Sequence, residues 1–311
     1  MKALGRRLAG VLACLAAAGT PWSVAAQSTH VVIVSGLSGD PAFKARFSSA
    51  VTAVRSAAAT RWGVNDSSLI VLTEDSTAFN GRSTRENIAR AFTALSRRTR
   101  PGDVLLVLLV GHGSGEGAGS KVNLPGPDAT ASEYAAWLAP FGAQQVVFVN
   151  AATGSGDFMP VIAGSGRVVM TATRSAVEKN EAEFLQHFAR ALTTDDADAN
   201  KDGRLSALEA FRFARTEVTK SYEANNRMLT EHAVLSDSAA AARVSFGARA
   251  ATTDPRVARL LEERQALESQ VAALRARKAA MEPAAYDAEL ERLLLALAEK
   301  SAAIKAAGGN K

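Results

Sequence analysis

Two short loops hold the residues of this chain best placed to do chemistry. Gly111-His112-Gly113-Ser114-Gly115 follows seven consecutive aliphatic residues, Val104 to Val110. Asn150-Ala151-Ala152-Thr153-Gly154-Ser155-Gly156-Asp157-Phe158 follows a second aliphatic run, Val146-Val147-Phe148-Val149. The first loop sets an imidazole among glycines, where the backbone is free and the ring can face solvent. The second gathers hydroxyls and bare backbone N–H groups on a tight turn out of a strand, which suits the stabilisation of an oxyanion. On the residues alone, a loop histidine without a catalytic task reads equally well.

A third segment runs from Asp198 to Glu209 and matches the twelve-residue EF-hand pattern. Asp198, Asn200 and Asp202 take its first, third and fifth positions. Gly203 sits at the sixth, where the sharp turn demands glycine. Arg204 offers its carbonyl, Ser206 acts directly or through water, and Glu209 closes the site bidentately. Leu205 falls at the apolar eighth position, and helical sequence lies on both sides, at Glu181 to Leu192 and Leu208 to about Ala224. These residues predict Ca2+ binding. One loop is visible where such loops usually pair, so the expected role is structural, and outside the cytoplasm weak affinity suffices.

The elements that must position these loops alternate between strand and helix from His30 to about Leu192. Strands are expected at His30–Val34, Ser68–Leu72, Val104–Val110, Val146–Val149 and Val168–Thr171, their aliphatic runs fitting buried parallel strands. Asp40-Pro41 opens a helix to about Trp62, Ser83-Thr84-Arg85-Glu86 caps one to about Thr99, and Thr130-Ala131-Ser132-Glu133 caps one to Leu138. The pattern predicts an α/β fold with a doubly wound, mainly parallel sheet covered by helices on both faces. Reactive groups in such sheets sit on loops at the carboxyl ends of the strands.

At these two loops the sequence resembles the caspase-like fold family, within it the legumain (asparaginyl endopeptidase) branch. Members carry His-Gly after the third strand and Ala-Cys-x-Ser-Gly after the fourth. His112-Gly113 matches the first motif, and Ala152-Thr153-Gly154-Ser155-Gly156 matches the second except that Thr153 stands where the cysteine belongs. The resemblance covers roughly residues 28–235. It implies His112 as general base, the Gly113 and Thr153 backbone N–H groups as oxyanion hole, and the Thr153 side chain as would-be nucleophile. A threonine hydroxyl is far harder to deprotonate than a thiol and needs a base oriented by a third group. Asp157, Glu116 and Asp237 are the candidates for that orientation. The expectation is therefore a peptidase homologue without its nucleophile that binds peptide. The alternatives are a hydrolase using Thr153 or Ser155 with His112, and a structural protein acting through its C-terminal helices.

The ends frame this reading. Met1-Lys2-Ala3-Leu4-Gly5-Arg6-Arg7, an apolar run from Leu8 to Ala18, and Val24-Ala25-Ala26 ahead of Gln27 read as a signal peptide over 1–26, giving a periplasmic or secreted protein. A lipoprotein signal on Cys14 would leave too short an apolar region. Cys14 is the only cysteine, so residues 27–311 hold no thiolate. Loss of Lys2, Arg6 and Arg7 takes the formal charge from +5 to +2, which gives nucleic-acid binding little support. The expected domain spans 27–236, with a small polar linker over 237–253 and a flexible tail over 307–311. Between them, over 254–306, Val257, Leu260, Leu267, Val271, Leu274 and Met281, then Tyr286, Leu290, Leu293, Leu297 and Ile304 beyond Pro283, predict an α-helical hairpin. Its role would be self-association or docking, and Arg264 and Lys278 at seam positions speak against a long dry coiled coil. No transmembrane segment is expected in the mature chain. His30, His187 and the turn Asn123–Asp128 read as structural, and His232 as a residue that could reach the groove.

Overall fold

The computed structural model describes residues 27–75, 77, 79–247 and 254–307. The expected signal peptide, Cys14 and residues 308–311 lie outside the described residues.

The chain lays down β1 (Thr29–Ser35), α1 (Pro41–Thr60), β2 (Leu69–Leu72), α2 (Arg85–Ser96) and β3 (Val104–Val110). Three two-residue strands follow, β4 (Gly113–Ser114), β5 (Lys121–Val122) and β6 (Ala129–Thr130), then α3 (Ala131–Leu138), β7 (Gln145–Asn150), α4 (Phe158–Ile162) and β8 (Arg167–Thr171). Next come α5 (Phe184–Thr193), β9 (Leu205–Ser206), α6 (Ala207–Ala224), β10 (Val234–Leu235), α7 (Ser238–Arg243), β11 (Ser245–Phe246), α8 (Pro255–Ala276) and α9 (Pro283–Ala306).

Six strands form one sheet in the order β10-β8-β7-β3-β1-β2. All pairs are parallel except β10 with β8. β3 sits at the centre with every residue buried, as its unbroken aliphatic run requires. Its alternate residues serve two cores. Leu106 and Leu108 face α1, α5 and α6, with Val51, Phe188 and Phe211. Leu105, Val107 and Leu109 face α2, α3 and α4, with Phe92, Tyr134 and Phe158. Truncating one such leucine to alanine removes about 2–5 kcal/mol, because the packed sheet cannot close over the gap.

Caps set the helix starts. Asp40 accepts from Ala42 N (2.8 Å) and Phe43 N (2.9 Å), and Pro41 begins α1. The start of α2 falls one residue later than its expected capping box: Thr84 caps Asn87 N, while Ser83 is buried and donates to Ser35 O (2.7 Å). The stretch 237–253, expected as a linker, differs over its first half. Asp237 caps α7 through Ala240 N (2.9 Å), and β11 pairs antiparallel with β9. Phe246 stacks on Trp62 with centroids 5.3 Å apart. A six-residue alanine-rich helix is too short to show a period, which hid it in the sequence. Residues 248–253 lie outside the described residues.

Helices α8 and α9 lie against each other through Leu267, Val271, Leu274, Tyr286, Leu290 and Leu293. Glu263 and Lys300 tie their far ends at 2.6 Å. Lys278 stands over the Tyr286 ring at 5.2 Å, its charge placed on a π face. No described helix is long and apolar enough to cross a membrane.

Candidate functional site

The order of strands reverses between β1 and β3, since the chain leaves β1 for β2 on one side and then crosses to β3 on the other. Open α/β sheets present a crevice at the carboxyl ends of strands at such a point. His112 stands two residues beyond β3, and Ser38 three beyond β1. His112 Nε2 bonds to the Ser38 carbonyl oxygen at 3.1 Å. A carbonyl only accepts, so Nε2 carries the proton and Nδ1 keeps its lone pair as the basic atom. The capped start of α1 supplies the wall behind the ring. Phe43 meets it edge-on at 4.5 Å, and Phe47 lies 5.4 Å away.

The ribbon β4-β5-β6 pins the histidine loop, with Gly113 paired to Val122 and Ser114 to Lys121. Asn123 N donates to His112 O (2.9 Å), and Leu37 N to Asn123 O (2.9 Å), so the turn from Asn123 borders the site as well as connecting strands. Gly113 also touches the second loop: a Cβ there would meet Thr153 O at 2.4 Å. Its N–H points at the Thr153 hydroxyl oxygen, 3.4 Å away. The tertiary fold thus brings His112, Gly113 and Thr153 to one place. Among the described residues no hydrogen bond joins His112 to Thr153.

Ser155 does not share that place. It is 1% exposed, accepts from Thr173 N (3.2 Å) and faces Thr173 Oγ1 (3.3 Å). Gly156 beside it approaches the Arg174 backbone so closely that a Cβ would sit 2.1 Å from Arg174 C. The Ser155 hydroxyl ties two loops together from inside the core, which removes it as a nucleophile. Two of the three expected orienting carboxylates are engaged elsewhere. Asp157 accepts from Gly117 N (2.7 Å) and Ala176 N (3.1 Å), Asp237 caps α7, and Glu116 is exposed.

Sequence reasoning missed the Ser38 carbonyl, which orients the ring in their stead. The switch-point rule applied to the end of β1 would have pointed to it. It also missed Glu178. The Glu178 carbonyl accepts from Gly154 N (2.9 Å), and its carboxylate takes His232 Nδ1 (2.7 Å) and His232 N (3.1 Å). His232 thereby lies beside the Thr153 loop. His30 pairs with buried Asp103 (3.1 Å) at the amino ends of the strands. His187 lies on α5 near Glu183 (3.9 Å), and burial holds its pKa below the usual value.

The segment 198–209 curls on its own amides. Asp198 accepts from Asp202 N (3.1 Å) and Gly203 N (2.9 Å), Asn200 from Asp202 N (2.9 Å), and Asp202 Oδ1 from Arg204 N (2.7 Å). Gly203 has φ +75°, the left-handed turn that suits glycine. Ser206 and Glu209 form a reciprocal capping box at the start of α6. Asp202 Oδ2 takes the guanidinium of Arg264 from α8. The donors are all oxygen, a set that suits a hard cation such as Ca2+. Among the described residues no three His, Cys, Asp or Glu side chains stand gathered as a metal site. The carboxylates here turn to amides and to Arg264.

No family model matches the chain, and no curated protein matches its sequence. Among solved structures the chain is similar to protein GSU0716 from Geobacter sulfurreducens, at 10% identity and a TM-score of 0.39, over 73% of this chain and 95% of that one. It is also similar to caspase-1 from Spodoptera frugiperda, at 12% identity and a TM-score of 0.43, over 68% of this chain and 88% of that one. Neither likeness bears on activity.

Proposed function

We propose that this chain is an exported, calcium-binding peptidase homologue of caspase- and legumain-like type that holds a peptide or protein segment without cutting it. The observation that carries this reading is Thr153, whose hydroxyl lies against the Gly113 N–H at the position where the resemblance has a thiol. Residues 27–311 contain no cysteine to take its place. A hydroxyl resting on an amide donor, without a bond to the base, is a poor nucleophile. The surface around it favours binding. Leu37, 40% exposed, precedes the Ser38 that holds His112, and Val177, 76% exposed, precedes the Glu178 that holds Gly154. Apolar side chains thus flank the site from two loops, next to backbone groups able to pair with an extended peptide. In this reading Asp198, Asn200, Asp202, the Arg204 carbonyl, Ser206 and Glu209 hold Ca2+, which braces the region between α5 and α6. The helical hairpin α8–α9 docks the domain or joins copies of it, and its exposed Leu294 and Leu295 suit that role.

The test is incubation of the purified protein with calcium, a fluorogenic peptide library and a fluorophosphonate probe, beside a His112→Ala control. Retained peptide binding with neither turnover nor labelling is the expected result. Labelling or turnover that vanishes in the control would replace this reading with a hydroxyl-dependent hydrolase. One observation favours that second reading: the Ser38 carbonyl fixes the His112 tautomer, as the third member of a triad does. Its nucleophile would be Thr153.

A further inference from the structure

The helix pair α8–α9 reaches the 198–209 segment through one side chain. Arg264 is 5% exposed, although it carries a full charge on a helix whose other cations face solvent or exposed carboxylates. A cation is buried at tolerable cost only where anions surround it. Its guanidinium sits on Asp202 Oδ2, and its Nε lies 3.3 Å from Glu268 one turn further along α8. Glu268 in turn feels the charges of Asp202 and Glu209, and burial holds its pKa above the usual carboxylate range. Two carboxylates, those of Asp202 and Glu268, therefore hold Arg264 where it is buried.

The two oxygens of Asp202 have separate work. Oδ1 accepts from Arg204 N and closes the turn. Oδ2 is the oxygen left to face an ion, and Arg264 holds it. Asp198 likewise keeps both oxygens on loop amides. We infer that Arg264 is an intramolecular cation of this loop that competes with a divalent ion, so that loading with Ca2+ and docking of the α8–α9 pair exclude each other. This rests on the calcium reading above and adds its regulation. The ion would take Asp202 Oδ2, leaving the buried guanidinium with Glu268 of its own helix but without its anion in the loop, and the helix pair would lift to return Arg264 to water. By linkage the docked pair lowers calcium affinity by the same factor as calcium weakens docking.

The experiment is calorimetric titration of Ca2+ into the purified wild-type protein and the Arg264→Ala and Arg264→Lys variants, with hydrogen exchange followed over 255–276 in each. Arg264→Ala is expected to bind Ca2+ roughly tenfold more tightly than wild type, within the usual range of site coupling. Arg264→Lys, which keeps the charge but loses the planar fork, is expected to fall between them. In wild type, calcium is expected to speed exchange in α8. Equal affinities in all three proteins, or exchange in α8 that slows on loading, would overturn the competition while leaving the calcium site standing. Absence of binding in all three up to millimolar Ca2+ would remove the calcium reading itself, and the competition with it.

Discussion

In the cleft, His112 is held by a main-chain carbonyl, Thr153 lies against a main-chain amide, and the two loops meet where only glycine fits. In the segment 198–209 the arrangement is reversed. Side-chain oxygens close the loop on its own amides, and its outward carboxylate takes an arginine from a distant helix. A site framed by backbone persists whatever its side chains become, so its chemistry hangs on single positions. A site framed by side chains changes its shape when those side chains find another partner. The cleft should therefore accept a new nucleophile, and the loop should respond to cations.

The strongest break of that comparison is to return a thiol to the cleft. In Thr153→Cys the sulfur would stand beside Gly113 N within the reach of a fixed imidazole. The expected outcome is covalent labelling by peptide electrophiles, reduced at least about 100-fold in Thr153→Cys with His112→Ala, the usual weight of a general base. A Thr153→Cys variant that labels no faster than a free thiol, with or without His112, would mean that the frame lacks catalytic geometry. Next in size is Gly156→Ala. Its Cβ would meet Arg174 C at 2.1 Å, and backbone cannot yield as a side-chain tip can. A loss of about 3 kcal/mol is expected in denaturant unfolding. A loss below about 1 kcal/mol would show that the contact between these loops is soft.

The sequence and the structure agree most where a pattern is local. The mixed α/β fold with its mostly parallel sheet is legible in five aliphatic runs, and β3 is found at Val104–Val110 as expected. Thr130 caps α3 with Glu133 as its spacing indicates. What depends on distant pairing is not legible. Ser38 and His112 are 74 residues apart, and only the order β3-β1-β2 makes them neighbours. Ser155 has the residue type of a nucleophile, but Thr173 from another loop buries it. Arg264 at a seam position speaks against a long dry coiled coil, and its partner lies 62 residues away at Asp202. A misfit in a periodic pattern marked the contact without naming its partner.

Glu231 and His232 are neighbours in the chain that face different elements. His232 holds Glu178 beside the cleft, while Glu231, 2% exposed, accepts from Glu183 N (2.7 Å) and Phe184 N (3.2 Å) at the start of α5. Burial pushes the Glu231 carboxyl up to about 7, from 4.5. The folded protein thus holds this proton more tightly than the unfolded chain. Its contribution is fully present below pH 4.5 and is lost as pH rises through about 7. The loss amounts to about 3 kcal/mol, and the difference between wild type and Glu231→Gln in unfolding free energy across that window measures it. A difference that grows in favour of wild type as pH rises would show an ionised carboxylate capping α5.

The smallest expected effect separates the regions most sharply, because the same device occurs in both. Thr130 and Glu133 form a capping box at α3 on the cleft side, with Thr130 N donating to Glu133 at 2.9 Å. Ser206 and Glu209 form its counterpart at α6, with Ser206 N donating to Glu209 at 3.0 Å. Without calcium, Thr130→Ala and Ser206→Ala should each cost about 1 kcal/mol. The expectations part when Ca2+ is added. Ser206 is a proposed ligand beside Glu209, so with calcium Ser206→Ala loses a ligand as well as the bond from Glu209 N, and its cost should grow. Thr130 is not a proposed ligand, and the cost of Thr130→Ala should stay as it was. Chemical denaturation of both variants, with chelator and with millimolar calcium, reads the two costs side by side. An unchanged cost for Ser206→Ala would show that Ser206 serves only as a cap, and would deny the loop that ligand.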